Sequence, residues 1–223
     1  MKKPLIAANW KSNKTKNEAK NWLETFSNQK FESSEIIIFP SFTLLDFISD
    51  FIEEKSMSIK IGAQDLSKFS GGPYTGEVNA NQIKDFCEYV LVGHSERRSN
   101  FQEDMETIRI KTENAISASL RPIICISNFD EARSLEFAKD AIFAYEPPGA
   151  ISTNPNSKPT EISDVSNFAQ KFSVTFENEL IYGGSVNAQN VSGYSKIEGI
   201  SGFLVGNESL DPNSFFEIIK NAV

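Results

Sequence analysis

Three titratable side chains lie just beyond short apolar runs of this 223-residue chain: Lys11, His94 and Glu146. A carboxylate such as Glu146 can act as a general base on a carbon acid, which accelerates proton transfer by roughly 10²–10⁴-fold when it is well placed. A carbon acid beside a carbonyl also needs its developing negative oxygen stabilised, and a lysine and a histidine are suitable groups for that task. The three residues therefore predict proton transfer next to a carbonyl, provided that the fold brings them together.

Eight apolar runs recur along the chain, and each is continuous rather than alternating, as expected for strands buried on both faces of a parallel sheet. The runs cover residues 5–8, 36–39, 59–63, 89–92, 122–126, 142–145, 180–182 and 202–205. Eight such strands with helices between them predict a single-domain (β/α)8 TIM barrel over residues 1–223, whose active site would lie at the carboxyl ends of the strands. A doubly wound open sheet is the alternative, but the first run is followed by Asn-Trp-Lys instead of a glycine-rich turn.

The segments between the runs have helical periodicity. The last one begins with Asp211 as a predicted N-cap and Pro212 at the first helical position. The predicted helices cover residues 17–26, 44–54, 105–117, 129–138, 161–172, 187–196 and 211–223.

Two glycine-containing segments follow the last two runs, YGGSV at residues 182–186 and LVGNESL at residues 204–210. Backbone N–H groups in such turns can hold a phosphate.

Each candidate residue also has an ordinary structural explanation: His94 could be a buried polar residue, Lys11 a surface charge and Glu146 the partner of an arginine. Glu96, beside two arginines, is expected to orient a cation.

Composition limits the partners and the compartment. The net charge of −8 disfavours nucleic acid and anionic membranes. The two cysteines form no metal-ligand or disulfide pattern, which is typical of a reducing cytoplasm and predicts no metal site. No apolar run is long enough for a membrane span or a signal peptide.

Six motifs in chain order resemble the triosephosphate isomerase family. They are AANWK, GAQDLS with GPYTGEV, LVGHSERR, AYEP, YGGSV and LVGNESL, and they extend from residue 5 to residue 210. The resemblance implies a (β/α)8 barrel that interconverts dihydroxyacetone phosphate and D-glyceraldehyde 3-phosphate through an enediol(ate), in glycolysis and gluconeogenesis, with no cofactor.

The resemblance also implies roles for residues of the predicted site. Glu146 would move the proton, His94 would polarise the substrate oxygens and Lys11 would supply positive charge, with Asn9 and Glu96 ordering the cluster. The family is itself the established example of a histidine kept neutral at a helix N-terminus.

The phosphate contacts and the assembly are implied in the same way. Ser152, Ser185, Gly206 and Asn207 would bind the substrate phosphate. The protein would be a homodimer, in which the loop around Thr75 reaches into the partner's site.

The segment after Glu146 departs from the family pattern of a lid. Pro148 and Gly149 replace a valine and a tryptophan, and Asn154 and Pro155 stand at the far end of the lid. Proline restricts its own φ and the residue before it, so we expect altered lid kinetics with the reaction intact.

Two other functions fit parts of the pattern. A phosphate-binding aldolase could use Lys11 as a Schiff base. An inactive barrel could bind metabolites without catalysis, for which the altered lid is the only support.

Overall fold

The computed structural model of the protein describes residues 3–29, 33–149 and 159–223, in which eight parallel strands form a closed barrel. Each strand pairs with the next along the chain, and β8 closes the barrel by pairing with β1. The predicted (β/α)8 barrel is therefore confirmed. The strands are β1 (Leu5–Asn9), β2 (Glu35–Phe39), β3 (Ile59–Ala63), β4 (Tyr89–Val92), β5 (Arg121–Ile126), β6 (Ile142–Tyr145), β7 (Glu179–Tyr182) and β8 (Ile200–Val205).

The described residues contain nine α-helices, most of them in the connections between strands. They are α1 (Lys16–Ser27), α2 (Leu45–Glu54), α3 (Ala80–Ile83), α4 (Ser95–Phe101), α5 (Met105–Ser117), α6 (Phe129–Ser134), α7 (Ile162–Thr175), α8 (Val191–Tyr194) and α9 (Pro212–Asn221). Short 3₁₀ turns cover Phe42–Leu44 and Asn207–Ser209. The predicted cap of the last helix is confirmed, since the Asp211 side chain accepts hydrogen bonds from the N–H groups of Asn213 and Ser214.

Alternate residues of the strands fill the barrel interior, and the others pack against the helices. The strands are apolar along their whole length because both faces are buried. The seam between β1 and β8 is especially close at Gly202, where an added Cβ would lie 2.0 Å from the Leu5 carbonyl oxygen. The interior cluster consists of Leu5, Ala7, Ile37, Phe39, Tyr89, Leu91, Ile123, Cys125, Ile142, Ala144, Ile181 and Leu204.

The connection from β5 to β6 is covered by aromatic rings from a later helix. Its own helix, α6, has only six residues. Phe143 of β6 lies with its ring centroid 5.5 Å from that of Phe172 in α7 and 6.1 Å from that of Phe176. The Phe176 ring in turn lies 5.4 Å from the ring of Phe129 at the start of α6. Aromatic side chains from α7 and the residue after it thus cover the outside of a strand that α6 is too short to cover alone.

None of the helices in the described ranges is both long enough and apolar enough to cross a membrane.

Candidate active site

One cavity at the carboxyl end of the barrel collects residues that lie at or just beyond the ends of β1, β4, β6, β7 and β8. The closed barrel places these strand ends around a single mouth, although the residues are far apart in sequence. The cavity is lined by Asn9, Lys11, His94, Glu146, Gly183, Ser185, Leu204 and Gly206. Six of these eight are residues that the sequence predicts individually for the site. The other two, Gly183 and Leu204, belong to the two glycine-containing segments that were predicted to hold a phosphate.

Glu146 is held at the end of β6 in a buried position, with a relative exposure of 4%. Its backbone N–H donates to the Ile126 carbonyl at 2.8 Å, which continues the pairing of β6 with β5 by one residue. Its carboxylate accepts the Ser95 N–H at 3.1 Å, and its other oxygen lies 3.2 Å from Nε2 of His94. A buried carboxylate at the mouth is thus satisfied by two donors that a bound substrate could replace.

His94 is the N-cap of α4, and its ring orientation is fixed from both sides. Nδ1 accepts the Glu96 N–H at 3.2 Å, so Nδ1 carries no proton in this arrangement. Nε2 is then the protonated nitrogen of a neutral ring, and it faces the Glu146 carboxylate. Gly93 precedes His94 with φ +69°, and an added Cβ would lie 2.9 Å from Ile108, so a side chain here would disturb the approach to the histidine.

Lys11 reaches the same cavity from the loop after β1. Its ammonium lies 2.8 Å from a carboxylate oxygen of Glu96. Its backbone N–H donates to Oδ1 of the buried Asn9 at 3.0 Å. Asn9 and Glu96 thus contact Lys11 from opposite ends, as expected for residues that order a cation.

The predicted phosphate residues are placed unequally. Ser185, with φ +48°, and Gly206 line the cavity, whereas Asn207 is exposed and begins the 3₁₀ turn beside it. Ser152 lies outside the described residues, as do Asn154 and Pro155 of the predicted lid.

A layer of polar contacts behind the site was not predicted from the sequence. Arg98 donates from Nε to the Gly93 carbonyl at 2.8 Å and from a terminal nitrogen to the Cys125 carbonyl, and it pairs with Glu131 at 2.9 Å. Burial opposes ionisation of Glu131, but hydrogen bonds from the Ser127 N–H and hydroxyl, together with Arg98, prevail and lower the pKa of Glu131. Arg98 therefore ties the segment that carries His94 to the end of β5.

Cys125 lies below Glu146 in the barrel interior as a fully buried free thiol. Burial, and then the nearby charge of Glu146, raises the pKa of Cys125 well above its ordinary value. The thiol is therefore a neutral part of the core.

A second cluster of charges links the loop after β3 to two helices. The Lys111 ammonium lies 2.6 Å from Asp65 and 2.6 Å from Glu103. Arg97 closes the cluster, at 3.0 Å from Asp65 and 2.6 Å from Glu103. Two cations and two carboxylates thus neutralise one another beside the helix that His94 caps.

No group of three or more histidine, cysteine or acidic side chains in the described part of the chain is arranged to hold a metal ion.

The comparisons with known proteins identify the family. A sequence model described as triosephosphate isomerase matches residues 4–222. The chain belongs to the triosephosphate isomerase family. Among its relatives named triosephosphate isomerase, those from Endomicrobium trichonymphae and Dictyoglomus thermophilum are each 35% identical, covering 99% of this chain and 99% and 100% of their own lengths. The relative from Aquifex aeolicus is 37% identical and covers 96% of this chain and 98% of its own length.

The alignments with these relatives are longer than the chain itself. They extend over 243 to 251 positions, against 223 residues in this chain. The relatives therefore contain residues that have no counterpart here.

Proposed function

We infer that Glu146, His94 and Lys11 carry out the reaction that defines this family. The chain is an isomerase that interconverts dihydroxyacetone phosphate and D-glyceraldehyde 3-phosphate, a step of glycolysis. The same step operates in gluconeogenesis, because the reaction runs in both directions. The observation that carries the assignment of residues is the contact of His94 Nε2 with the Glu146 carboxylate at 3.2 Å in the barrel mouth.

Glu146 is the base. Its carboxylate takes a proton from the carbon beside the substrate carbonyl and returns a proton to the former carbonyl carbon, through an enediol(ate) intermediate, while a proton passes from the hydroxyl oxygen to the former carbonyl oxygen. The His94 N–H and Ser95 N–H now bonded to this carboxylate must be exchanged for substrate, because an accepted hydrogen bond weakens a base. The reaction moves a proton within one molecule and changes no overall oxidation state, so the proposal includes no cofactor and no metal.

His94 and Lys11 stabilise the oxygens of the intermediate, and the positive charge of Lys11 also binds the anionic substrate. The Glu96 N–H bond to Nδ1 directs the His94 Nε2–H towards the mouth, where it can donate to a substrate oxygen. The Lys11 nitrogen lies 2.8 Å from a Glu96 carboxylate oxygen, which suits a fixed positive charge. A Schiff-base aldolase would instead need this nitrogen to be directed at the substrate carbonyl as a nucleophile.

The phosphate is assigned to the part of the cavity formed by the segments after β7 and β8. Ser185 and Gly206 line it after β7 and β8, where barrel enzymes often bind phosphate. We include Asn207 and Ser152 in the phosphate site as predictions from the sequence, and Asn9 as a substrate-side residue that orders Lys11.

A coupled assay with glyceraldehyde 3-phosphate tests the assignment. Glu146→Gln keeps the size of the side chain but removes the base, so we expect kcat to fall at least about 10²–10⁴-fold. Glu35→Gln, at the start of β2 and at the far end of the barrel, is the matched control and should keep wild-type turnover. Unchanged turnover in Glu146→Gln would remove Glu146 from the mechanism.

We also propose a homodimer that forms through the loop around Thr75. The loop is closed at its base by the Ser67 N–H bond to the Val78 carbonyl at 2.8 Å, and residues 70–77 beyond it are almost entirely exposed. Large apolar side chains are exposed on the connections after β2, β3 and β4: Phe42 at 38%, Tyr74 at 40% and Phe101 at 65%. An apolar rim beside a protruding loop supports association at this end of the barrel.

Sedimentation of the wild type and Thr75→Arg tests this association. A bulky charge at the loop tip should shift the wild-type dimer towards monomer. Ser173→Arg, on the exposed face of α7, should not. A wild type that sediments as a monomer at micromolar concentration would contradict the proposal.

The whole chain, residues 1–223, is proposed to work as one domain in the cytoplasm, with the triose phosphate as its small-molecule partner. Two free, buried cysteines support a reducing compartment, and the net charge of −8 argues against nucleic acid and anionic membranes as partners.

A further inference from the structure

Lys11 has an unusual backbone conformation for a residue with a long side chain. Its φ is +55°, in the left-handed region that disfavours residues other than glycine. Such a conformation persists only when its surroundings enforce it. The Lys11 N–H donates to the Asn9 side chain. What remains to be explained is which group holds the carbonyl of Lys11, the other polar group of its backbone.

The Gln64 side chain makes the contact with this carbonyl. Gln64 follows β3, and its amide nitrogen donates to the Lys11 carbonyl at 2.8 Å and to the Phe39 carbonyl at 2.8 Å. Phe39 ends β2, and its carbonyl also accepts the Trp10 N–H at 3.2 Å. One side-chain amide therefore joins the ends of three neighbouring strands.

The geometry uses the full donor capacity of the amide. A side-chain NH₂ group has two hydrogens, and each has its own carbonyl partner here. Two bonds from one planar group fix the direction of the Lys11 carbonyl relative to β2. Because the peptide plane after Lys11 is fixed, the Cα–Cβ direction of Lys11 and the starting point of its side chain are fixed as well.

We propose that Gln64 is a positioning residue that holds Lys11 in its left-handed conformation and so directs its ammonium into the active site. This inference rests on the proposed role of Lys11 in binding the anionic substrate. Gln64 lies at the start of the loop after β3 and does not itself line the cavity. Its effect on substrate binding therefore passes through the backbone of Lys11.

Gln64→Met tests the proposal, because methionine has a similar size and donates no hydrogen bond. We expect kcat/KM to fall about tenfold, mostly through KM, and the Ki of inorganic phosphate to rise by a similar factor, since Lys11 attracts the anion before the transition state as well as in it. Gln64→Asn, which keeps the amide but is too short to reach both carbonyls, should show a smaller loss of the same kind, and it covers the case in which Gln64→Met fails to fold.

Asn178→Leu is the matched control. Asn178 precedes β7 at the other end of the barrel, and its amide nitrogen donates to the carbonyls of Ala138, Lys139 and Ala141 at 2.9–3.0 Å. Its removal also leaves carbonyls without a donor, so it should lower thermal stability while KM and the phosphate Ki stay within about twofold of the wild type.

The outcomes separate the two claims. Wild-type KM and phosphate Ki in the Gln64 variants, or an equal kinetic loss in Asn178→Leu, would overturn the positioning role. Lys11→Met is measured alongside: if it leaves the phosphate Ki unchanged, the role proposed for Lys11 fails, whatever the Gln64 variants show.

Discussion

Replacing Lys111 with methionine should strongly destabilise the protein. The Lys111 side chain is only 5% exposed, and it pairs with Asp65 and Glu103 at 2.6 Å each. Without the ammonium, Arg97 alone faces two nearly buried carboxylates, so one negative charge is left uncompensated. Removing one partner from a buried ion pair costs about 3–5 kcal/mol.

Urea unfolding at pH 7 and at fixed protein concentration, followed by circular dichroism, would measure this loss. In a thermal scan we expect a decrease in Tm of about 2–4 °C per kcal/mol for a chain of this size. The loss should shrink as the pH falls from 7 to 5, because an unpaired buried carboxylate binds a proton more readily than a paired one.

Lys20→Met is the matched control for the same substitution at an exposed pair. Lys20 and Glu24 are 3.7 Å apart, and both side chains are more than half exposed. An exposed pair of this kind contributes about 0–1 kcal/mol. If Lys111→Met costs no more than Lys20→Met, the reasoning about the buried cluster is wrong.

Two further predictions follow from pKa directions. Burial raises the pKa of Cys87 to about 12 and that of Cys125 well above its ordinary value. Neither thiol should therefore react with a thiol-specific dye in the folded protein at pH 8, whereas both should react in denaturant. Rapid labelling of the native protein would contradict this prediction. The pKa of Glu131 is lowered below 4.5, so its contribution to stability should be complete above pH 4.5 and should disappear as the pH falls through the lowered pKa. The free energies of unfolding of the wild type and Glu131→Gln, measured across pH 3–7, should therefore converge at low pH. A difference that stays constant over this range would refute the predicted direction of the pH dependence.

The strands could be predicted from the sequence because a strand that is buried on both faces is a continuous apolar run, which can be identified without knowing what packs against it. Its apolar run reports its environment directly. The predicted bounds at 59–63, 89–92 and 142–145 agree with β3, β4 and β6, and the remaining strands begin or end one or two residues beyond the predicted runs. The site residues could be predicted once the strand ends were known, because closure of the barrel brings the carboxyl ends of the strands together.

The helices were predicted less accurately where packing overrides periodicity. The segments 129–138 and 187–196 were expected to be helical, but α6 ends at Ser134 and α8 covers only Val191–Tyr194. Both segments contain apolar residues at helical spacing, yet a chain that has to return quickly to the next strand ends its helix early.

The polar contacts behind the site could not be read from the sequence. Gln64, Arg98 and Lys111 are ordinary polar residues in their local segments, and their partners lie 53, 27 and 46 residues away. Their roles depend on distances of about 3 Å between elements far apart in sequence, which no periodicity or composition reports.

The aromatic cover of β6 has a consequence for synthesis on the ribosome. Phe143 is fully buried by side chains that belong to α7 and to Phe176, which are made later than the strand itself. A nascent chain that has emerged only as far as β6 therefore exposes an apolar strand face that it has no means to cover. Stable structure in this half of the barrel must wait until α7 has left the exit tunnel, so a truncated chain that stops before α7 should be a substrate for chaperones rather than a folded half-barrel.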